Sequence, residues 1–145
     1  MSAIAKSLEL IQPFEQCRLT AYPDPATGDE PWSIGWGATG EGIEEGTVWT
    51  QDQADNRLLV DVARVWRAVQ QLVRVPLSDT QAGALISFAY NVGLGNLAKS
   101  TLLRMVNAGS VAAAGAQFMR WNRADGQVMR GLTWRRAAER AMFDD

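Results

Sequence analysis

Two carboxylic acids, Glu15 and Asp24, stand nine residues apart near the start of the chain, and a hydroxyl, Ser33, follows after nine more. Two carboxyl groups held in different environments are the minimal equipment for acid-catalysed cleavage of a glycosidic bond. One keeps its proton until it passes to the leaving oxygen, which partial burial favours; the other stays ionised and orients water or supports an oxocarbenium-like transition state. Spacing alone does not separate such a pair from two acids on a solvated surface, so the case rests on what surrounds them. Glu15 closes a stretch of helical periodicity. Asp24 lies in a turn marked by Pro23, Pro25 and Gly28, and Ser33 belongs to the segment Trp32-Ser33-Ile34-Gly35-Trp36-Gly37, which reads as a strand.

Composition narrows the chemistry. The chain has 145 residues, no histidine and a single cysteine, Cys17. An internal disulfide is excluded, no set of metal ligands is on offer, and zinc, haem and Ser-His-Asp chemistries lose their key residue. The reaction has to run on carboxylates, hydroxyls, amides or arginines. The net charge of −2 conceals a segregation: residues 1–61 hold eleven acids and three bases, residues 62–145 eleven bases and five acids. The basic second half, with Arg120, Arg123, Arg130, Arg135, Arg136 and Arg140 clustered near its end, fits either an anionic partner such as a cell-wall polymer or a solvated helical face. Lys6 and Glu9 interrupt the apolar residues of the first segment, which reads as neither a secretion signal nor a membrane span.

The elements that must position these groups follow from periodicity. Ile4, Leu8 and Ile11 fall on one face of a helix that Pro13 is expected to break or kink. Cys17 to Tyr22 and Trp32 to Gly37 form a hairpin around the Asp24 turn. Thr50-Gln51-Asp52-Gln53 and Ser78-Asp79-Thr80-Gln81 each match a capping box, so a helix starts at each. The first runs to about Val73, with Leu58, Val62, Val65, Val69 and Leu72 on one face; the second carries Ala82, Leu85, Ala89 and Val92 and ends at Gly93. Shorter helices are expected near 97–107, 110–121 and 133–143, separated by Gly109 and an Asp125-Gly126 turn. This length supports one core, hence one domain over 1–145. The expected fold is α+β and helix-dominated: a small N-terminal β-hairpin lobe, about 15–48, and a larger all-helical lobe, about 50–145 plus the N-terminal helix, with a cleft between them as the natural binding place.

Glu15, the run Cys17-Arg18-Leu19-Thr20-Ala21-Tyr22, Asp24 and the strand Trp32-Ser33-Ile34-Gly35-Trp36-Gly37 together resemble the catalytic signature of the phage-type lysozymes, glycoside hydrolase family 24. Thr50 to Asp55, Leu85 to Gly93 and Gly131 to Arg140 extend the resemblance over nearly the whole chain. It implies a lysozyme-like fold with Glu15 as general acid and with Asp24 and Ser33 positioning water, Ser33 standing where the family often has Thr. It also implies that Asn91 lines the substrate cleft, with Tyr90 and Ser100 as further candidates for substrate contact; an amide capping the helix end at Gly93 is the other reading of Asn91. Trp32 and Trp36 could stack on sugar rings or belong to the core. Three features depart from the family pattern. Gln16 stands where Gly is common, Ala38 stands where His is frequent, and a longer turn adds Asp29 and Glu30, either of which could take the place of Asp24.

The resemblance implies an endo-acting muramidase, a monomer without metal or cofactor, that hydrolyses the β-1,4 bond between N-acetylmuramic acid and N-acetylglucosamine in peptidoglycan. Nucleic-acid binding by the arginine-rich helices is a weaker rival, because no recognisable reading motif accompanies them, so no nucleic-acid partner is expected, and no stable membrane insertion. In a phage or prophage such an enzyme collects in the host bacterial cytoplasm until a holin-type membrane lesion releases it to the wall. Two alternatives stay open at this point: a lytic transglycosylase, which needs only the acid, and a non-catalytic wall-binding or phage structural module on the same scaffold.

Overall fold

The computed structural model describes residues 2–145. Its architecture is helix-dominated α+β with two small antiparallel sheets. The chain divides into two units: Glu15–Asp61, and the chain up to Phe14 together with Val62–Asp145.

In the unit Glu15–Asp61, β1 (Arg18–Tyr22) pairs with β2 (Ser33–Gly35), with Arg18 opposite Gly35, Tyr22 opposite Ser33 and a register shift between. The strand expected as far as Gly37 stops at Gly35. Gly35 and Gly37, at φ 65° and 90°, swing the chain through the left-handed region, and Ala38 bonds back to Ile34 through both backbone groups at 2.9 and 3.0 Å. The other edge of β1 is taken by a segment with no strand signal of its own: Ala21 N donates to Thr47 O and Trp49 N to Leu19 O, both at 2.9 Å. Trp49 then fills the space beside Gly35, where a Cβ would lie 3.1 Å from its ring. The helix α2 (Gln51–Leu72) starts at the expected box: Gln53 N donates to the Thr50 hydroxyl at 3.1 Å and Thr50 N to the Gln53 side chain at 2.8 Å. It buries Leu58, Val62, Val65 and Val69 as expected and also Ala54, whereas Leu72 is half-buried.

The helix α1 (Ala3–Glu15) differs from expectation twice. It buries Ala3, Ser7, Leu10 and Ile11 instead of Ile4 and Leu8. The reason is close approach: a Cβ on Gly83 would lie 2.6 Å from Lys6 Cβ and 3.1 Å from Ser7 N, so small residues take the contact, and the Ser7 hydroxyl is satisfied by the Ile4 carbonyl at 2.6 Å. Pro13 does not end the helix. It forfeits one bond, to the carbonyl of Glu9, and Glu9 is exposed, so solvent can serve that carbonyl.

The helix α3 (Asp79–Val92) opens with the expected Ser78 capping box and buries every residue from Ala82 to Ala89, more than the one face its periodicity suggested. Ser100 splits the next expected helix into α4 (Leu94–Lys99) and α5 (Thr101–Asn107), because its extended backbone and side chain cap the second piece. The stretch expected at 110–121 is α6 (Val111–Gln117) followed by a single 3-10 turn, Phe118–Arg120. The Asp125-Gly126 turn forms with φ 51° and 76°, the geometry of a tight hairpin turn, and joins two strands that the sequence did not announce, β3 (Arg123–Ala124) and β4 (Gln127–Val128). The last helix, α7 (Arg130–Phe143), starts three residues earlier than expected.

The largest departure lies in the arginine cluster. Arg135 and Arg136 are not on the surface; they are 3% and 0% exposed, beside the fully buried Glu139. Glu139 Oε2 accepts from the Ser87 hydroxyl at 2.6 Å, from Arg136 Nη2 at 3.2 Å and from Arg135 Nε at 3.3 Å, and its Oε1 stands 2.8 Å from Arg136 Nε. Arg136 also donates to Asn91 Oδ1 at 2.8 Å and lies over the ring of Phe88, which packs edge-to-face on Phe118 and Trp121. Burial pushes the Glu139 carboxyl up from its ordinary range against the pull of Arg136, Ser87 and Arg135, and pushes the Arg136 guanidinium down against the pull of Glu139. Each charge is tolerable only in company. Glu139→Gln takes the carboxylate charge away from the fully buried Arg136 and is expected to cost about 3–5 kcal/mol, with a melting temperature lower by on the order of 10 °C in calorimetry.

Candidate active site

Glu15 is the last residue of α1, half-buried, and Gln16 leaves the helix at φ 58°. Helices often end in one left-handed residue, and glycine is favoured there because a Cβ costs about 1–2 kcal/mol in that conformation. The glycine common in the family at this position therefore serves backbone conformation, and Gln16 adopts the same conformation with its side chain in solvent. The carboxylate of Glu15 lies against Gly37: a Cβ there would fall 2.6 Å from Oε2 and 3.3 Å from Cδ. Glycine at 37 is thus part of the seat of the acid, a role that the sequence reading did not assign.

Asp24 is held by a turn closed on itself. Its Oδ1 accepts from Ala26 N at 2.7 Å, its carbonyl accepts from Gly28 N at 2.8 Å, and its own N–H donates to Asp29 O at 2.9 Å. Thr27 braces the same turn, donating to Glu30 O at 2.9 Å and accepting from Asp29 N at 3.1 Å. Among the described residues the second carboxylate oxygen of Asp24 has no partner, and neither has the hydroxyl of Ser33, which is half-buried opposite Tyr22. Of the two alternative acids, Asp29 accepts from Trp32 Nε1 at 3.2 Å and so fixes that ring, while Glu30 joins Pro31, Trp32, Gly40 and Ile43 around a pocket of about 450 Å³. Trp36 is pinned by its Nε1 to Asp55 Oδ1 at 2.9 Å, and Ala38 is buried.

Glu15, Asp24, Ser33 and Trp32 therefore share the unit Glu15–Asp61, whereas Tyr90, Asn91 and Ser100 belong to the other unit. Ser100 is 4% exposed, donating to Leu97 O at 2.7 Å and accepting from Leu103 N at 3.0 Å, so its hydroxyl is spent on capping α5. Tyr90 is half-buried. Asn91 is exposed and does not cap Gly93, whose N–H bonds to the Ala89 carbonyl; its side chain answers Arg136.

A family model described as phage lysozyme matches residues 12–139. The chain belongs to the phage lysozyme family. It is 40% identical over 137 residues to the endolysin of Bacillus phage PZA, which covers 94% of this chain and 53% of that protein. It is 37% identical over 143 residues to the endolysin of Acyrthosiphon pisum secondary endosymbiont phage 1, covering 96% and 95% of the two chains. The chain spans about half the length of the Bacillus phage relatives it matches. Among solved structures it is similar to the muramidase domain of SpmX from Asticaccaulis excentricus, with a TM-score of 0.84 and 37% identity over 94% of this chain and 93% of the other.

Two substitutions probe backbone conformation and the placement of the Glu15 carboxylate. Gln16→Gly is expected to stabilise the fold by about 1 kcal/mol, visible as a melting temperature higher by roughly 3 °C, without loss of activity. Gly37→Ala is expected both to strain the backbone at φ 90°, lowering the melting temperature, and to displace the Glu15 carboxylate, lowering wall-lytic activity.

Proposed function

We propose that the protein is an endo-acting muramidase that hydrolyses the β-1,4 bond between N-acetylmuramic acid and N-acetylglucosamine in peptidoglycan. The observation that carries the reading is the contrast between the two acids: Glu15 seated on Gly37 at a helix end, Asp24 in a self-closed turn with one carboxylate oxygen and the Ser33 hydroxyl left to hold a water. Glu15 gives its proton to the glycosidic oxygen as the C1–O bond breaks. Asp24 and Ser33 hold a water that attacks C1 from the opposite face, and Asp24 takes the proton that this water loses, so the anomeric centre inverts. No cofactor enters. Trp32, Tyr90 and Asn91 are the proposed sugar contacts; Ser100 acts through the position of α5. Among the described residues no helix is long and apolar enough to cross a membrane. As an endolysin the protein would reach the wall from the host cytoplasm through a lesion made by a second, holin-type protein.

Turbidity clearing of purified cell walls tests the assignment. Glu15→Gln is expected to keep the melting temperature and to lose about 10²–10⁴-fold or more in rate, since the amide fills the same volume with no acidic proton to give. Full activity in that folded variant would remove Glu15 from the mechanism, and an anhydro-sugar product would replace hydrolysis by transglycosylation.

The water-positioning role of Ser33 is checked by pairing two substitutions. Ser33→Thr keeps the hydroxyl and is expected to retain most activity. Ser33→Ala is expected to lose activity with little change in melting temperature, because one neutral hydrogen bond is worth about 0.5–1.5 kcal/mol in stability while misalignment of a reacting water costs more in rate.

A further inference from the structure

The charge segregation of the sequence has an address in the fold. Residues 62–124 hold seven bases and a single acid, Asp79. Three of the bases meet at the C-terminal part of α2. Arg64 and Arg67 fall with Gln71 at i, i+3 and i+7, on one face of the helix, and Arg74 follows two residues past its end. All four residues are exposed, and among the described residues none of the three guanidinium groups has a partner. Arg57, earlier on the same helix, differs: both carboxylate oxygens of Asp61 answer it, at 3.0 and 3.1 Å.

Ordinary duties do not account for the row. Arg64 and Arg67 are neighbours of like charge and repel, so the pair does nothing for the helix. Cations complement a helix dipole in the last turn, where α2 has no base. Nor is the Arg74 guanidinium needed as a cap, because Asn107 closes that end: its Nδ2 donates to the Leu72 carbonyl at 3.1 Å and its Oδ1 accepts from Arg74 N at 2.8 Å. The amide thereby fixes where Arg74 leaves the helix. It leaves into an open pocket of about 520 Å³ lined by Gln71, Leu72, Arg74, Leu103, Arg104 and Asn107 among others, with no acid. Arg104 is steadied there by Thr101, whose hydroxyl accepts from its Nη2 at 2.8 Å. Gln71 belongs to the row and to the pocket, so the one runs into the other.

A row of unanswered guanidinium groups ending in a concave site with two more donors' worth of positive charge suits a chain that carries one anion per repeat and can bend. We propose that this face of α2 and the pocket at its end bind a linear phosphodiester polymer, the chemistry of the anionic chains that some cell walls carry beside their glycan. The proposal leans on the muramidase reading only for where such a polymer is met. A nucleic acid fits less well, since among the described residues no exposed aromatic ring lies on α2, α4 or α5 for bases to stack on. A bilayer fits less well too. Val62, Val65 and Val69 are turned into the core, which leaves this face nothing apolar to insert.

Binding is measured by calorimetric titration of poly(glycerol phosphate) into the whole protein across a salt series. The triple substitution Arg64→Gln, Arg67→Gln and Arg74→Gln is expected to weaken it about tenfold at an unchanged melting temperature. The slope of log K against log salt is expected to flatten by about two, since a flexible polyanion releases roughly 0.7 counterion per contact and three contacts are lost. The corresponding Arg→Lys triple keeps the charge and is expected to keep the slope. A control of equal charge loss on exposed arginines elsewhere, Arg120→Gln, Arg123→Gln and Arg130→Gln, is expected to retain both affinity and slope. Equal losses in the two Gln triples would mean attraction by net charge and no site. Absence of binding by the wild type, or tighter binding per phosphate to duplex DNA or to phosphatidylglycerol vesicles, overturns the proposal. Wall clearing is read separately: a protein that binds the polymer and clears no wall loses the hydrolase reading and keeps this site, and one that clears walls but binds no polymer does the reverse.

Discussion

A carboxylate taken wholly out of water sets the organisation of the helical unit. An isolated buried charge would cost more than the whole net stability of a domain, so Glu139 can sit at the centre only if the groups around it compensate. Arg135 and Arg136 come from its own helix at helical spacing, and Ser87 comes from α3. The demand for compensation ties α7 to the most buried helix of the fold. Through the remaining donors of Arg136 it extends to Asn91 and to the Trp121 carbonyl, 3.5 Å away. An apolar core would have left Asn91 free to turn its amide either way; an ionic one fixes it. The arginines that composition offers to an anionic partner are in part structural, and only the exposed remainder, Arg123 among them, faces solvent.

The unit Glu15–Asp61 achieves order by other means. Its strands are short, and its precision comes from backbone geometry: a left-handed residue ends the helix at Glu15, two positive-φ glycines turn the chain after Ile34, and the Asp24 turn satisfies its own amides. What matters at Gly37 is a missing atom. The acid of Glu15 occupies the volume that any side chain there would need. The left-handed conformation of Gln16, which costs a residue with a Cβ some stability, ends α1 at Glu15.

Much of this was legible in the sequence, and the reason is distance along the chain. Both capping boxes, the stripe of α2 and the Asp125-Gly126 turn depend on groups within a few residues of each other, so residue identity decides them locally. The positions of Glu15, Asp24 and Ser33 on a helix end, a turn and a strand were read in the same way, and the motifs around them carried the family. Tertiary packing decided the rest. Which face of α1 is buried depended on the backbone of Gly83; the pairing of Thr47 to Trp49 with β1 depended on a chain some twenty-eight residues away in sequence. Arg135 and Arg136 look like any solvated pair until Ser87, 52 positions from Glu139, and Asn91, 45 positions from Arg136, are brought beside them. The chain by itself therefore determined the long helices, the first hairpin and the types of its reactive groups, because hydrogen bonds between near neighbours and side-chain periodicity are local properties. Burial is a property of the assembled fold, and it decided which charges became part of the core and which stayed at the surface.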